Sequence, residues 1–347
     1  METKKEKNID PEPRQENPDD EKTNESFTRI KGLFRKKFAV WIIAASAIFI
    51  LGTAYLFFAF PETEQTEQGS FAGKFFKPFL AEDQSFLERN SFFFLPGRNE
   101  SASSEKNGAE TVLNEASKKE KSSSQDWWLN SGGIMNLGSG EFSTNLGPLS
   151  KDSRWRKLYS KSNPEDTDKG YYPQNIFRLV TRSKWDNFSQ SVYFKIEKIN
   201  LNQSENRNES NGILFFNRYQ DGDNLYYAGI RVDGDAVIKK KINDKYYTLK
   251  EKEFFTNGQE YDKEKNPNLI PLNSWIGIKS EIKNVDGETV SIKLYIDSGE
   301  KGEWQLVLEA HDSQDKYGKE PFLEKGYAGI RTDFMDVRFK NYEILKI

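Results

Sequence analysis

The chain has 347 residues, of which 35% are hydrophobic and 30% charged, with a formal net charge of -3. That balance leaves part of the chain with too little to bury and excludes a nucleic-acid-binding surface running over the whole molecule. Cysteine is absent and His311 is the single histidine, so disulfides, thiolate metal sites and a cysteine nucleophile are excluded, and any metal or catalytic centre must rest on carboxylates, carbonyls, Tyr, Lys or Arg.

Residues 1–37 are polar, rich in Lys, Glu, Asp, Asn and Pro, and read as a disordered cytoplasmic tail. Residues 38–60, FAVWIIAASAIFILGTAYLFFAF, carry no charge. A helix of that length reaches roughly 34 Å, enough for a bilayer core. Phe60 and Pro61 stand where a signal peptidase needs small residues, so the run reads as an uncleaved signal anchor. Lys31, Arg35, Lys36 and Lys37 precede it, and Glu62, Glu64 and Glu67 follow. Positive flanks stay inside, which predicts a single-pass cell-membrane protein with a cytoplasmic N-terminus and an extracellular C-terminal domain.

Residues 61–125 read as a Phe-rich juxtamembrane segment, 71–97, followed by a Ser-, Glu- and Lys-rich flexible stalk. Two placements suit the Phe-rich segment: insertion of its rings into the outer membrane surface, or packing as a short helix against the head or a protein partner.

From residue 126 to 347 the period-2 signal recurs: SVYFKIEKI, GILFFNRY, NLYYAGIRV, AVIKKKI, WIGIKSEI, TVSIKLYI, WQLVLEA and DVRFKNYEIL, joined at QDGD, VDGD, NVDGE and DSGEKGE. No long amphipathic helix intervenes and no repeat of fixed period is visible, so the head is predicted to be all-β, an antiparallel sandwich or barrel. The order of these strands, the NRYQDGDNLYYAGIRVDG meander and the closing GYAGIRTDFMDVRFKNYEI resemble the concanavalin A-like lectin/glucanase superfamily, to which laminin-G-like modules and family-16-type glucanases belong. The resemblance covers roughly residues 127–347. It implies a two-sheet antiparallel jelly-roll sandwich whose concave sheet often binds glycans. It also implies a structural calcium, held through an Asp that opens the last strand, a position filled here by Asp336.

The meander can be worked out residue by residue. A four-residue loop at 220–223 sets Phe216 opposite Tyr227 and Arg218 opposite Leu225, and a three-residue loop at 233–235 sets Arg231 opposite Val237. Ile213, Phe215, Ala228, Ile230, Val232, Ala236 and Ile238 then share the core face, with Lys240 on the core side near its edge. Arg218, Tyr227, Arg231, Lys239 and Lys241 share the other face. Cations beside an aromatic ring suit a sugar carrying carboxylate or sulfate. These five residues are therefore the predicted carbohydrate-binding set, set against the ordinary solvated outer face of a sheet.

Retaining glucanases of the superfamily place paired carboxylates on one strand, as Glu-x-Asp-x-x-Glu or Glu-x-Asp-x-Glu, and no strand here carries either pattern. Glu197 stands alone in its strand, as does Glu281, and no Gly-x-Ser-x-Gly is present. The sequence thus predicts a membrane-anchored head that binds carbohydrate, an anionic polysaccharide for preference, without catalysis. The alternatives are a membrane-tethered glycoside hydrolase or polysaccharide lyase, and a protein-binding module of an envelope assembly.

Overall fold

The computed structural model describes residues 91–94, 111–138 and 140–347. All of them fall in one compact unit, Phe76–Ile347. The predicted tail, the uncharged run 38–60 and most of the Phe-rich segment lie outside the described residues. Among the described residues no helix is long and apolar enough to cross a membrane.

Alternation in the sequence is what builds the strands. In β7 (Phe188–Ile199), Val192, Phe194 and Ile196 are buried while Tyr193, Lys195 and Glu197 point away from the core. Each fully buried side chain of this kind contributes about 1.5–3 kcal/mol. The first sheet runs β14 (Gln305–Asp312), β13 (Val290–Asp297), β12 (Ile276–Asn284), β7, β16 (Met335–Lys346), β5 (Glu141–Thr144), β4 (Ile134–Leu137) and β2 (Thr111–Asn114). The second runs β11 (Lys245–Glu253), β10 (Asp235–Ile242), β9 (Asn224–Arg231), β8 (Gly212–Asp221), β15 (Gly326–Asp333), β6 (Ile176–Trp185) and β3 (Trp127–Ser131). Both sheets are antiparallel, and their facing sides bury one core that includes Phe194, Ile278, Ile292 and Phe339 from the first and Phe215, Ala228, Ile230 and Ile238 from the second. The two-sheet antiparallel sandwich expected from the resemblance is the architecture observed. One short helix, α1 (Arg154–Ser162), lies between β5 and β6.

Two expectations are corrected at the start of the domain. Residues 111–125 belong to the fold and are not stalk. Leu113 of β2 pairs with Met135 and is 1% exposed, Glu115 accepts from Gly133 N and from the Tyr159 hydroxyl, and the Ala116 carbonyl accepts from Trp128 Nε1. A four-residue strand between Ser- and Lys-rich flanks has too few alternations to stand out from them. Within the Phe-rich segment, Ser91–Phe94 forms β1, a strand paired antiparallel to the C-terminal half of β16, where a surface-bound or helical segment had been expected.

Candidate functional site: a basic and aromatic groove on the second sheet

The meander β8–β9–β10 keeps the predicted parity but not the predicted register. Phe216 faces Tyr227, as expected, but the β8–β9 pairing is broken between Asn217 and Asp221, and Asp221 rather than Tyr219 faces Asn224. Arg218 sits in that irregularity with a left-handed φ of 51°. The rotation carries its side chain inward. Arg218 is fully buried, and its guanidinium donates to Asn284 Oδ1 at 2.6 Å, the Phe322 carbonyl at 2.7 Å and Asn187 Oδ1 at 3.1 Å. It ties the second sheet to the loop before β15 and is removed from the predicted binding face. Between β9 and β10 the register is shifted by two residues from the prediction, with Lys239 opposite Tyr227 and Lys240 opposite Tyr226. A shift of two leaves every side chain on its own face, so Lys239 and Lys241 remain with Tyr227.

The other predicted cations are on the outer face but are not equally available. Arg231 donates to Asp233 at 3.1 Å, Asp235 at 2.9 Å and Glu251 at 3.3 Å. Burial works against its charge, yet Asp233, Asp235 and Glu251 hold its pKa above the usual value. Lys241 donates to Asp223 at 3.0 Å and pairs with Asp244 at 2.8 Å, and against a burial penalty those two carboxylates push its pKa up. Tyr227 is 5% exposed, with its phenol pushed up by burial and its ring 6.2 Å from Tyr246, the two planes 24° apart. Lys240, predicted on the core side, lies in the core itself. It is fully buried 2.8 Å from Asp312 and donates to the carbonyls of Lys319 and Glu320.

Sequence reasoning missed the partners that complete the site. Arg178 of β6 faces Arg331 of β15, and Arg331 faces Leu214 of β8. Both guanidiniums bond Asp333, Arg178 at 2.9 Å and Arg331 at 2.6 Å. Burial lowers the Arg178 pKa, whereas Asp333 outweighs burial at Arg331 and raises it. The Arg331 guanidinium also lies 5.3 Å from the Tyr227 ring centre. A signal for Arg331 was present in the sequence. The heptad Tyr-Ala-Gly-Ile-Arg-x-Asp occurs at 227–233 and again at 327–333, and its two copies form β9 and β15, the strands on either side of β8. In both copies the Arg bonds the Asp two positions on. Arg178 and Tyr246 carry no comparable signal, because only the strand order brings them here.

Together these residues line a groove of about 500 Å³ on the outer face of the second sheet. Arg178, Arg331, Lys239, Tyr227 and Tyr246 line it, with Asn206, Asn208 and Asn211 contributed by the loop between β7 and β8. Gly229, opposite Leu214, lets β9 approach β8 closely: a Cβ there would stand 2.2 Å from the Ile213 carbonyl oxygen. The volume lies within the range of small-ligand sites, and an aromatic wall with a few convergent polar groups is their usual make-up. This face is not the ordinary solvated side of a sheet, because Val180, Leu214, Phe216, Tyr227 and Val237 are buried on it beneath Trp128, Tyr219 and Tyr327.

No pair of free carboxylates lines the groove among the described residues. Its two carboxylates are both committed: Asp333 to the two arginines, and Asp166 to the Ser204 hydroxyl at 2.5 Å and the Asn206 amide at 3.0 Å. Glu197 is bound by Arg338 at 2.6 Å and Glu281 by Lys279 at 3.0 Å, both on the first sheet. His311 is on β14 of that sheet, 52% exposed.

The calcium expectation rests on Asp336. Asp336 opens β16 as predicted and is 4% exposed, but its carboxylate already accepts from Gly147 N at 2.8 Å, Gln174 Nε2 at 2.9 Å and Asn200 Nδ2 at 2.8 Å. Calcium takes six to eight oxygens. Here both side-chain amides present N–H groups to the carboxylate, and their oxygens, Gln174 Oε1 and Asn200 Oδ1, are buried without a hydrogen-bond partner among the described residues. Among the described residues no three His, Cys, Asp or Glu come together to hold a metal.

No protein-family model matches the chain, and no curated protein matches it. Among solved structures it is similar to a carbohydrate-binding module from Bacillus subtilis, at 14% identity over 63% of this chain and 95% of that one, with a TM-score of 0.35. It is similar to a prokaryotic β-1,3-1,4-glucanase, a lichenase from a mouse hindgut metagenome, at 12% identity over 65% and 94%, with a TM-score of 0.35. The exoplasmic/lumenal domain of VIP36, in its Ca2+/Man-bound form, shows 9% identity over 68% and 89%, with a TM-score of 0.34. Scores at this level carry no substrate and no site residue over to this chain.

Proposed function

We propose that the head is a non-catalytic carbohydrate-binding domain that takes an anionic polysaccharide into the groove of the second sheet. The observation that carries this reading is the combination of two stacked tyrosines, one of them 56% exposed, with Arg178, Arg331 and Lys239 in one groove of about 500 Å³. An exposed ring offers a flat face to a sugar, and a cation beside it supplies charge-assisted hydrogen bonds to an acidic substituent. In this reading residues 38–60 hold the chain in the cell membrane with the N-terminus inside, which presents the head to cell-surface or extracellular polysaccharide.

The test is native electrophoresis of the full-length chain in detergent, through gels cast with acidic or neutral polysaccharides. Retardation in at least one acidic gel and in no neutral gel, abolished by Tyr246→Ala at unchanged melting temperature, is the expected result. Unchanged mobility in all gels refutes the reading, and a cleared track after staining for polymer replaces it with hydrolysis or lysis. Protection of the head from protease in sealed cells would overturn the orientation.

A further inference from the structure

The cations on the outer face of the second sheet do not make a polycation. Arg231 faces three carboxylates, Lys241 faces two, and Arg178 and Arg331 share one. Lys239 differs from them. It lines the groove, and its ammonium makes no ion pair or hydrogen bond with any described residue, though Glu251 and Asp233 act on its charge from a distance. It lies directly opposite Tyr227 across the β9–β10 pair, and Tyr227 stacks on the exposed Tyr246. Its Nζ therefore has donors to spare beside the surface on which a sugar ring would lie.

We propose that Lys239 reads a single acidic substituent, a carboxylate or a sulfate ester, on the sugar seated against Tyr227 and Tyr246. The proposal rests on the carbohydrate-binding reading and narrows it: the groove selects a glycan bearing one such group per bound unit, and the remaining cations serve the fold and its rim. The electrostatics agree. Burial, and then Arg231 and Arg331, push the Lys239 ammonium below its ordinary value, and an anion beside it would relieve that strain. A neutral sugar would leave it in place.

The test uses full-length protein in detergent with three probes: polygalacturonate for carboxylate, dextran sulfate for sulfate, and dextran as the neutral control. Affinities are measured for wild type, Lys239→Gln, Lys239→Arg and Tyr246→Ala, with melting temperatures recorded for each. The expected result is binding to one acidic probe, weakened about tenfold or more in Lys239→Gln and kept in Lys239→Arg, with most of the salt dependence lost in Lys239→Gln. Which acidic probe binds tells carboxylate from sulfate. Equal affinity of wild type and Lys239→Gln for an acidic probe, or wild-type binding to dextran that Lys239→Gln leaves unchanged, overturns the assignment of Lys239 and leaves carbohydrate binding standing if Tyr246→Ala abolishes it. Failure of folded wild type to bind any of the three overturns both.

Discussion

Replacing Lys240 with Met tests the buried charge between the sheets. Lys240 and Asp312 are both fully buried, 2.8 Å apart, and the same Asp312 oxygen accepts from the Tyr226 hydroxyl at 2.5 Å. The three protons of Lys240 are all used, on Asp312 and on the carbonyls of Lys319 and Glu320. Lys240→Met leaves the Asp312 carboxylate without its counter-charge in a site closed to water, and it frees two carbonyls of the loop before β15. Removing one partner of a buried pair costs about 3–5 kcal/mol. For a domain of this size that is a fall of roughly 6–20 °C in melting temperature. Replacing both partners with apolar residues removes the stranded charge, so Lys240→Met/Asp312→Leu is expected to regain at least half of the loss. Thermal melts followed by circular dichroism at one pH, on wild type, both single variants and the double, measure the cycle. A single Lys240→Met that melts with wild type, or a double variant as unstable as the sum of the singles, would refute the reasoning.

Leu113→Ala is expected to destabilise the head by about 2–5 kcal/mol, and a chain starting at residue 126 should melt well below one starting before β1; equal melts would restore residues 111–125 to the stalk. Chelation with EDTA is expected to leave the melting temperature unchanged, while Asp336→Asn, which weakens three charge-assisted bonds, lowers stability by about 1–3 kcal/mol; a clear EDTA-induced drop would show that a divalent ion is held. Glu115 has its pKa raised, chiefly by burial, above the 4.5 of a free carboxyl. Its folded form then binds the proton more tightly than the unfolded chain, so its contribution is full below about pH 4.5 and declines as pH rises through the raised folded value. The stability difference between wild type and Glu115→Gln, measured by urea titration from pH 4 to 8, should move against wild type as pH rises, and a flat difference would contradict the assignment.

The fold class was legible because it is written in residue types. Alternation in SVYFKIEKI, GILFFNRY and VSIKLYI sets which side of each strand meets the core, and a sandwich is the economical way to bury two such faces. Parity was legible for the same reason: Lys239 and Lys241 stayed beside Tyr227 even though the β9–β10 register was off by two. What escaped is conformational or non-local. The left-handed φ at Arg218 cannot be read from NRYQDG, and it alone moves that side chain from the outer face to the interior. Arg231 and Lys241 look free in sequence, but Glu251 reaches Arg231 only once β11 pairs with β10, and Asp223 reaches Lys241 only across the β8–β9 turn. Arg178 enters the groove because β6 packs beside β15, a neighbour about 150 positions along the chain.

The two copies of Tyr-Ala-Gly-Ile-Arg-x-Asp on either side of β8 bear on how the chain assembles. The copies keep the same face outward but turn opposite edges to β8, Gly229 packing on Leu214 of β8 and Gly329 on Val180 of β6, so their shared sequence does not by itself say which side of β8 each takes. Chain connectivity breaks the tie: the copy in β9 follows β8 after a two-residue turn and closes in microseconds, while the copy in β15 arrives after most of the domain has been made. By then one edge of β8 is occupied and the late strand has a single vacancy. Lengthening the turn at Gly222 and Asp223 would blunt that head start, and the resulting competition between twin strands would surface as slower refolding than that of the natural chain.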